Sequence, residues 1–562
     1  MELPRIGYKA SARIGLSSVL CATGLLAALP ADAQQRLPGV VDRPAIEVPS
    51  EVTEPKDLPQ AKEPVLEQPA QPAQAVAQIK QVTFSGDLLV KEAQLQAVAA
   101  PYLNRPLTRG DIAKLKYELT KLYYKHGFVL TRATTPPQDL ADGVLKVVMV
   151  TGRIGEMEVV GEGLNPKVAD AMASAKIKQG EPFHEKTVES ALKDIDDLTN
   201  ISAKLNLRPG KAVGTTDLKL ILETVDEDVQ LFTFDNYGAQ LTGELVAGLH
   251  LQKSNLFGRG ETLAVDLRKS EDDLQSVELA AAVPVGWRNL KLELDYLNSD
   301  NEIGDYLAPL GASGDTQRFG VAVSSSLYNQ LQQEGVVRIG IDAGRYRSYL
   351  VGVPETEDNI THAYVEGTWL RRATKQVWYA SLRLNKGLGI LGADDKGEAD
   401  ATRASGNPKA WSVQPLIYAN FRLTERDYVQ LFGQGQYATQ AQLSSDLFAI
   451  GGYGSVRGFQ PAQEVGERGF IASAEYSRQL HDTGPWSVKG GAFVDVGYVS
   501  GELADSILDD TLKSAGLALE GIYNHSSRYR SKLRLDWAHT LGSYNATTVD
   551  DNSFYFRFTQ TF

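Results

Sequence analysis

The two side chains best placed for chemistry in this 562-residue sequence are an arginine and an aspartate. Arg457 lies in Gly451-Gly452-Tyr453-Gly454-Ser455-Val456-Arg457-Gly458-Phe459, followed by Gly466-Glu467-Arg468-Gly469. Glycine at that density lets a backbone fold tightly or run close to a wall. Asp495 lies in Phe493-Val494-Asp495-Val496-Gly497-Tyr498. On a strand, the valines and tyrosine take one face and Phe493, Asp495 and Gly497 the other. A guanidinium meeting a carboxylate makes a charge-assisted contact that holds a loop and transforms no substrate. The alternative is plainer: Arg457 is a solvated loop residue and Asp495 one pore charge among several.

Reaction chemistry finds little support elsewhere. Gly387-Leu388-Gly389-Ile390-Leu391-Gly392 matches a dinucleotide fingerprint in letters, but an acidic loop follows it where a helix is needed, so it reads as a hairpin. Asp394, Asp395, Glu398 and Asp400 could attract a cation, yet read more simply as a solvated loop. The seven histidines lack metal-ligand spacing, and Ser455 lacks a nucleophile's elbow pattern. With no convergent catalytic set, we expect neither an enzyme nor a cofactor. A net charge of −13 argues against a nucleic-acid partner.

The elements that must position Arg457 and Asp495 are strands. In the last ten residues, Phe554, Phe556, Phe558 and Phe562 share one parity, while Ser553, Tyr555, Arg557, Thr559 and Thr561 share the other. Leu263, Val265 and Leu267 oppose Asp266 and Arg268, and Leu533, Leu535 and Trp537 oppose Arg534 and Asp536. Sixteen candidate strands fit between Val229 and Phe562. Alternation alone suits a soluble sandwich or a membrane barrel; connection lengths separate them. Segments such as Asn255–Gly260, Asn329–Glu334, Arg372–Lys375 and Thr424–Asp427 are short. They alternate with longer ones, Ser299–Thr316, Ser348–Asn359, Leu388–Ala410 and Thr439–Arg468. Short periplasmic turns and long outer loops explain that rhythm in a barrel, and nothing comparable does in a sandwich. No apolar run after residue 30 approaches membrane-helix length, so any insertion of the mature chain must be as a barrel. The expected fold is an all-β transmembrane barrel of 16 antiparallel strands over 229–562, with loop 439–468 folded into its pore.

Residues 1–33 read as a secretory signal: Arg5, Lys9 and Arg13 precede an apolar stretch, and Ala31-Asp32-Ala33 forms a cleavage site. Cys21, the only cysteine, lies within it, so cleavage would remove all thiol chemistry. Residues 34–78 carry eight prolines and read as a linker. Two modules then share the order strand-helix-helix-strand-strand, over 79–153 and 154–225. In the first, Thr108 is placed to cap a helix with Asp111 three residues on, and Gly127 to end it.

At this point the chain resembles a known superfamily. Val456-Arg457-Gly458-Phe459 matches the signature of the outer-membrane proteins that include barrel-assembly insertases and two-partner secretion transporters. Asp235-Asn236-Tyr237-Gly238, Asn255-Leu256-Phe257-Gly258 and Phe493-x-Asp495-x-Gly497 resemble the transporter branch, the haemolysin and filamentous-haemagglutinin exporters. The first module resembles that branch's POTRA domain through Tyr124-x-x-Gly127-Phe128 and Pro137-Gln138-Asp139-Leu140. The likeness covers about residues 79–562. It implies two small α+β POTRA domains in the periplasm, ahead of a barrel in the outer membrane. It also implies a pore loop whose Arg457 contacts the Asp495 motif. The implied partners are membrane lipids and an unfolded secreted exoprotein of adhesin or haemolysin type, with the transporter itself a monomer. Some relatives carry a pore-plugging helix before the linker; residues 34–65 are too proline-rich for a convincing one. The alternative function is a barrel-assembly insertase, which usually carries more POTRA domains.

Overall fold

The computed structural model describes residues 75–562 except 197, 199, 226–227, 272–273, 286–289, 331, 504–505, 527–528 and 543–550, plus a two-residue pairing of Val19–Leu20 with Val40–Val41. Apart from that pairing, the signal sequence of residues 1–33 and residues 34–74 of the expected linker lie outside the described residues.

Ala75–Ile79, whose first residues fall inside the expected linker, pairs with Arg105–Thr108. A three-stranded sheet follows in the order Gln81–Gly86, Val144–Thr151, Thr131–Thr134. Helices Glu92–Ala99 and Arg109–Lys125 pack on it. The second helix starts where a capping box forms. Thr108 Oγ1 accepts the Asp111 N–H at 3.1 Å, and the Asp111 carboxylate accepts the Thr108 N–H at 2.8 Å. Its Leu115, Leu119 and Tyr123, four residues apart, are fully buried, and Gly127 leaves it at φ +84°. The first helix stops at Ala99, since Pro101 cannot donate into an α-helical ladder and Ala100–Tyr102 turns as 3-10 helix.

The second module repeats this topology, with sheet order Arg153–Gly161, Thr215–Thr224, Ile201–Pro209 and helices Pro166–Lys176 and Glu185–Asp196. In each module the first pair is parallel and the second antiparallel. Its contacts with the barrel are specific. The Asn165 N–H donates to Gly258 O at 2.7 Å, Asn255 donates to Gly163 O, and Asn329 Nδ2 donates to Asp194 Oδ1 at 3.1 Å.

Sixteen antiparallel strands close into a barrel, from Val229–Asp235 to Asn552–Thr561, and these two pair with each other. Leu533, Leu535, Trp537 and Phe554 sit exposed on the outer wall, while Asp536 on the opposite parity is buried inside. Two expected long loops are corrected. Ser348–Asn359 is mostly strand, with only Val351-Gly352 turning between Gln333–Leu350 and Val353–Ala373. Both turn residues have positive φ, 52° and 74°, matching a two-residue hairpin. Within Ser299–Thr316, strands end at Glu302 and resume at Ala312. These outer strand ends are polar and held by cross-strand pairs such as Arg347–Asp315 at 2.9 Å, so their sequence resembles loop. At 21 residues, Val353–Ala373 far exceeds the ~9–11 a bilayer requires, and its hairpin projects outward.

Candidate pore-loop anchor

The segment 439–467 joins strands Asp427–Ala438 and Arg468–Thr483, and instead of leaving the barrel it folds inward. A short pairing of Phe448–Ile450 with Glu464–Gly466 shapes its limbs. Ile450, Val456 and Phe459 pack into an apolar cluster with wall residues Tyr418, Phe432 and Ile471. Gly497 lets this happen, since a Cβ there would collide with Val456 and press on Ile450. Gly458, at φ +99°, turns the chain beyond Arg457. Its N–H donates to Tyr555 Oη at 2.8 Å, and its carbonyl accepts from Ser553 Oγ at 3.2 Å.

Arg457 is completely buried. Its Nε donates to Asp495 Oδ2 at 2.7 Å and its Nη2 to Asp495 Oδ1 at 2.9 Å, a two-pronged contact. The backbone N–H of Arg457 donates to the same carboxylate at 3.2 Å. Nη1 reaches Glu475 Oε2 at 3.1 Å and Asp536 Oδ1 at 3.3 Å. The guanidinium carbon lies 3.3 Å from the centroid of the Phe493 ring, which occupies space that a Cβ on Gly516 would invade. Arg534 binds Glu475 and Asp536 at 2.8 Å each. Two arginines therefore face three carboxylates.

The first-strand motif meets the same cluster. Tyr237 stacks on Tyr453 of the pore loop, centroids 3.6 Å apart and planes 13° apart. The Tyr453 hydroxyl lies 3.3 Å from Asp536. Asp235 pairs with Arg557 at 2.8 Å, and Arg557 lies over the Tyr237 ring. Asn236 extends the seam beyond its last paired residue: Nδ2 donates to Phe554 O at 2.9 Å, and Oδ1 accepts the Phe556 N–H at 2.8 Å. The N–H of Gly238 donates to Glu244 O at 3.0 Å, too close a turn for a side chain.

The loop is also gripped at its root. Outer loop 388–410 inserts Thr402 and Arg403 beside it. Buried Asp358 accepts from Thr402 N–H at 2.9 Å, Thr402 Oγ1 at 2.7 Å and Ser445 Oγ at 3.1 Å. Arg403 reaches Gln442 O and Glu467, both at 2.7 Å.

Val456, Arg457, Gly458, Phe459, Phe493, Asp495, Gly497, Asp235, Asn236, Tyr237 and Gly238 thus gather around one point. The POTRA motif residues lie elsewhere. Gly127 and Phe128 form the joint between modules. Gly127 O accepts the Glu185 N–H at 2.8 Å, and the Phe128 ring meets His184 edge-on at 4.9 Å. Tyr124 O accepts the Gly127 N–H at 2.9 Å. Gln138 pairs its side chain with both backbone groups of Lys146, at 2.7 and 2.8 Å, as an added strand residue would. Asp139 Oδ1 accepts the Ala141 N–H at 3.0 Å, an Asx turn. The motif's neighbour Tyr123, not singled out from sequence, is the buried member and donates to Asp87 O at 2.8 Å. Sequence reading also missed Glu475, Tyr453 and Tyr555, and did not connect Arg534 and Asp536 to Arg457. For the strand residues the signal was inward parity, which names a face without naming a neighbour; Tyr453, on the pore loop, carried none.

The sequence profile of the haemolysin secretion/activation protein family ShlB/FhaC/HecB matches residues 214–521, and that of the ShlB-type POTRA domain matches residues 77–152. The outer membrane transporter CdiB of Dickeya dadantii is 22% identical over 415 residues, 70% of each chain. The heme/hemopexin transporter protein HuxB of Haemophilus influenzae is 19% identical over 485 residues, 84% of each. The solved CdiB from Escherichia coli superposes with TM-score 0.73 at 19% identity, covering 88% of this chain and 91% of that one.

Proposed function

The chain belongs to the haemolysin secretion/activation family ShlB/FhaC/HecB, two-partner secretion transporters of the outer membrane with periplasmic POTRA domains, and on that premise we propose that it captures one unfolded exoprotein in the periplasm and secretes it through its barrel. An adhesin- or haemolysin-like partner fits best. The observation that carries this reading is a pore loop held inside a closed barrel by Arg457 on Asp495. Such an anchor is strong enough to define one loop position, and it can be broken without touching the strand ladder.

The first module's sheet ends in the edge strand Gln81–Gly86, whereas the opposite edge, Thr131–Thr134, already donates its outward N–H groups to Phe128 O and Thr120 Oγ1. An extended chain can add to the Gln81–Gly86 edge through main-chain hydrogen bonds, which bind tolerantly of sequence. The driving force is folding of the partner outside the cell, since that compartment holds no ATP. An insertase would open the seam between first and last strands; here that seam is closed by backbone pairing, Asn236 and the Asp235–Arg557 pair. Deleting residues 77–152 tests capture. The barrel remains in the outer membrane, while the partner's N-terminal region no longer co-purifies with it. Undiminished binding refutes the role given to that module.

A further inference from the structure

Five basic side chains form an arc just inside the periplasmic mouth. Arg372 shares parity with Leu370, and Arg422 with Tyr418; both apolar residues pack against the luminal cluster. Lys489 lies 5.3 Å over the ring of Tyr428, which shares parity with luminal Phe432. Lys532 pairs with Glu520 at 2.7 Å, and Arg530 lies two residues before it on the same face as Arg534. All five face inward within four residues of a strand's periplasmic end, and Arg372, Arg422, Lys489 and Arg530 are half-buried. Among the described residues, the acidic side chains that strand pairing places on the same face are Glu520, opposite Lys489, Glu334, opposite Leu370, and Asp482, opposite Ser487. Among the described residues of a chain with net charge −13, five basic side chains thus face three acidic ones at this rim. The second module meets the barrel at turn 255–261 and at Asn329, across the mouth from most of the arc.

We propose that this arc receives acidic, extended stretches of the exported chain as they leave the periplasmic modules. The inference rests on the transport reading and adds the chemistry of the cargo. A rim richer in one sign, with low-dielectric walls, concentrates its field on the opening and draws in opposite charge. Each half-exposed contact is weak and screened by salt, so a chain held there can move on. The inward direction of the side chains favours a passing polypeptide over the headgroups of surrounding phospholipid.

The test uses the full-length protein in detergent and two labelled disordered peptides, one rich in Asp and Glu and its twin with Asn and Gln. The acidic peptide binds about tenfold tighter at low salt, and the preference fades as salt screens the arc. Arg372→Gln, Arg422→Gln and Lys489→Gln together abolish the preference while the barrel stays heat-modifiable. The corresponding arginine-to-lysine variant keeps it. Equal binding of the peptides overturns the proposal, as does a preference that survives the triple substitution. Loss of co-purifying anionic phospholipid from the triple variant, with peptide binding unchanged, would reassign the arc to lipid. If the peptides are not distinguished but Arg457→Ala still blocks export, the arc fails and the transport reading stands.

Discussion

Arg457→Ala leaves the buried cluster with one cation facing three carboxylates. The damage is unequal. Glu475 and Asp536 keep Arg534, whose contacts are 2.8 Å long. Asp495 loses both guanidinium bonds and keeps the Ser473 hydroxyl at 2.6 Å and the backbone N–H of residue 457. Stripping a buried carboxylate of its cation costs ~3–5 kcal/mol, less where the lumen is wet. At about 1.4 kcal/mol per decade, the loop's preference for its seated position falls by about two to three and a half powers of ten. The strand ladder is untouched, so the barrel should stay folded and heat-modifiable while release of the partner stops. Adding Asp495→Asn removes the stripped charge and returns the cluster to its original one-carboxylate excess. The double variant should therefore regain thermal stability and still fail to export. Asp495→Asn alone balances two cations with two carboxylates and should be milder than Arg457→Ala. Normal export by Arg457→Ala, or a double variant no more stable than the single, would refute this account.

Arg403→Ala should free the root of the pore loop from Gln442 and Glu467, raising open probability in planar bilayers without unfolding the barrel; an unchanged conductance trace would count against the grip. Asn236→Ala removes two hydrogen bonds at the seam, each worth about 1 kcal/mol net, and should lower the temperature of heat modification, whereas Asn236→Asp keeps the acceptor for Phe556 N–H and should lose less. The Thr108 N–H bonded to its carboxylate, helped by Arg105, holds Asp111 down at about 2. The stability this gives the first module is complete above about pH 4 and is lost as pH falls from there towards 2. Acid unfolding of the module should show that decline, and Asp111→Asn should flatten it.

Local patterns were enough to establish much of this protein. Alternating parity marked the strands, and the separation of Leu533, Leu535 and Trp537 from Arg534 and Asp536 marked the oily and wet faces. Thr108, Asp111 and Gly127 bounded a helix, because capping is decided within a few residues. Arg457 and Asp495 stood out because glycine density and strand parity are also local. The pattern failed at the outer strand ends around Ser348–Asn359, where no hydrocarbon requires apolar residues and pairing is maintained by charges. What only the tertiary structure decided is adjacency. A period of two assigns a side chain to a face, but the level at which distant strands meet depends on register summed around the closed wall. Hence Glu475, Asp536 and Arg534 could not be assigned to Arg457 from sequence, nor Tyr237 to Tyr453 across 216 positions. The same holds for Thr402 and Arg403, whose loop meets the pore loop only because both fold into one enclosed space.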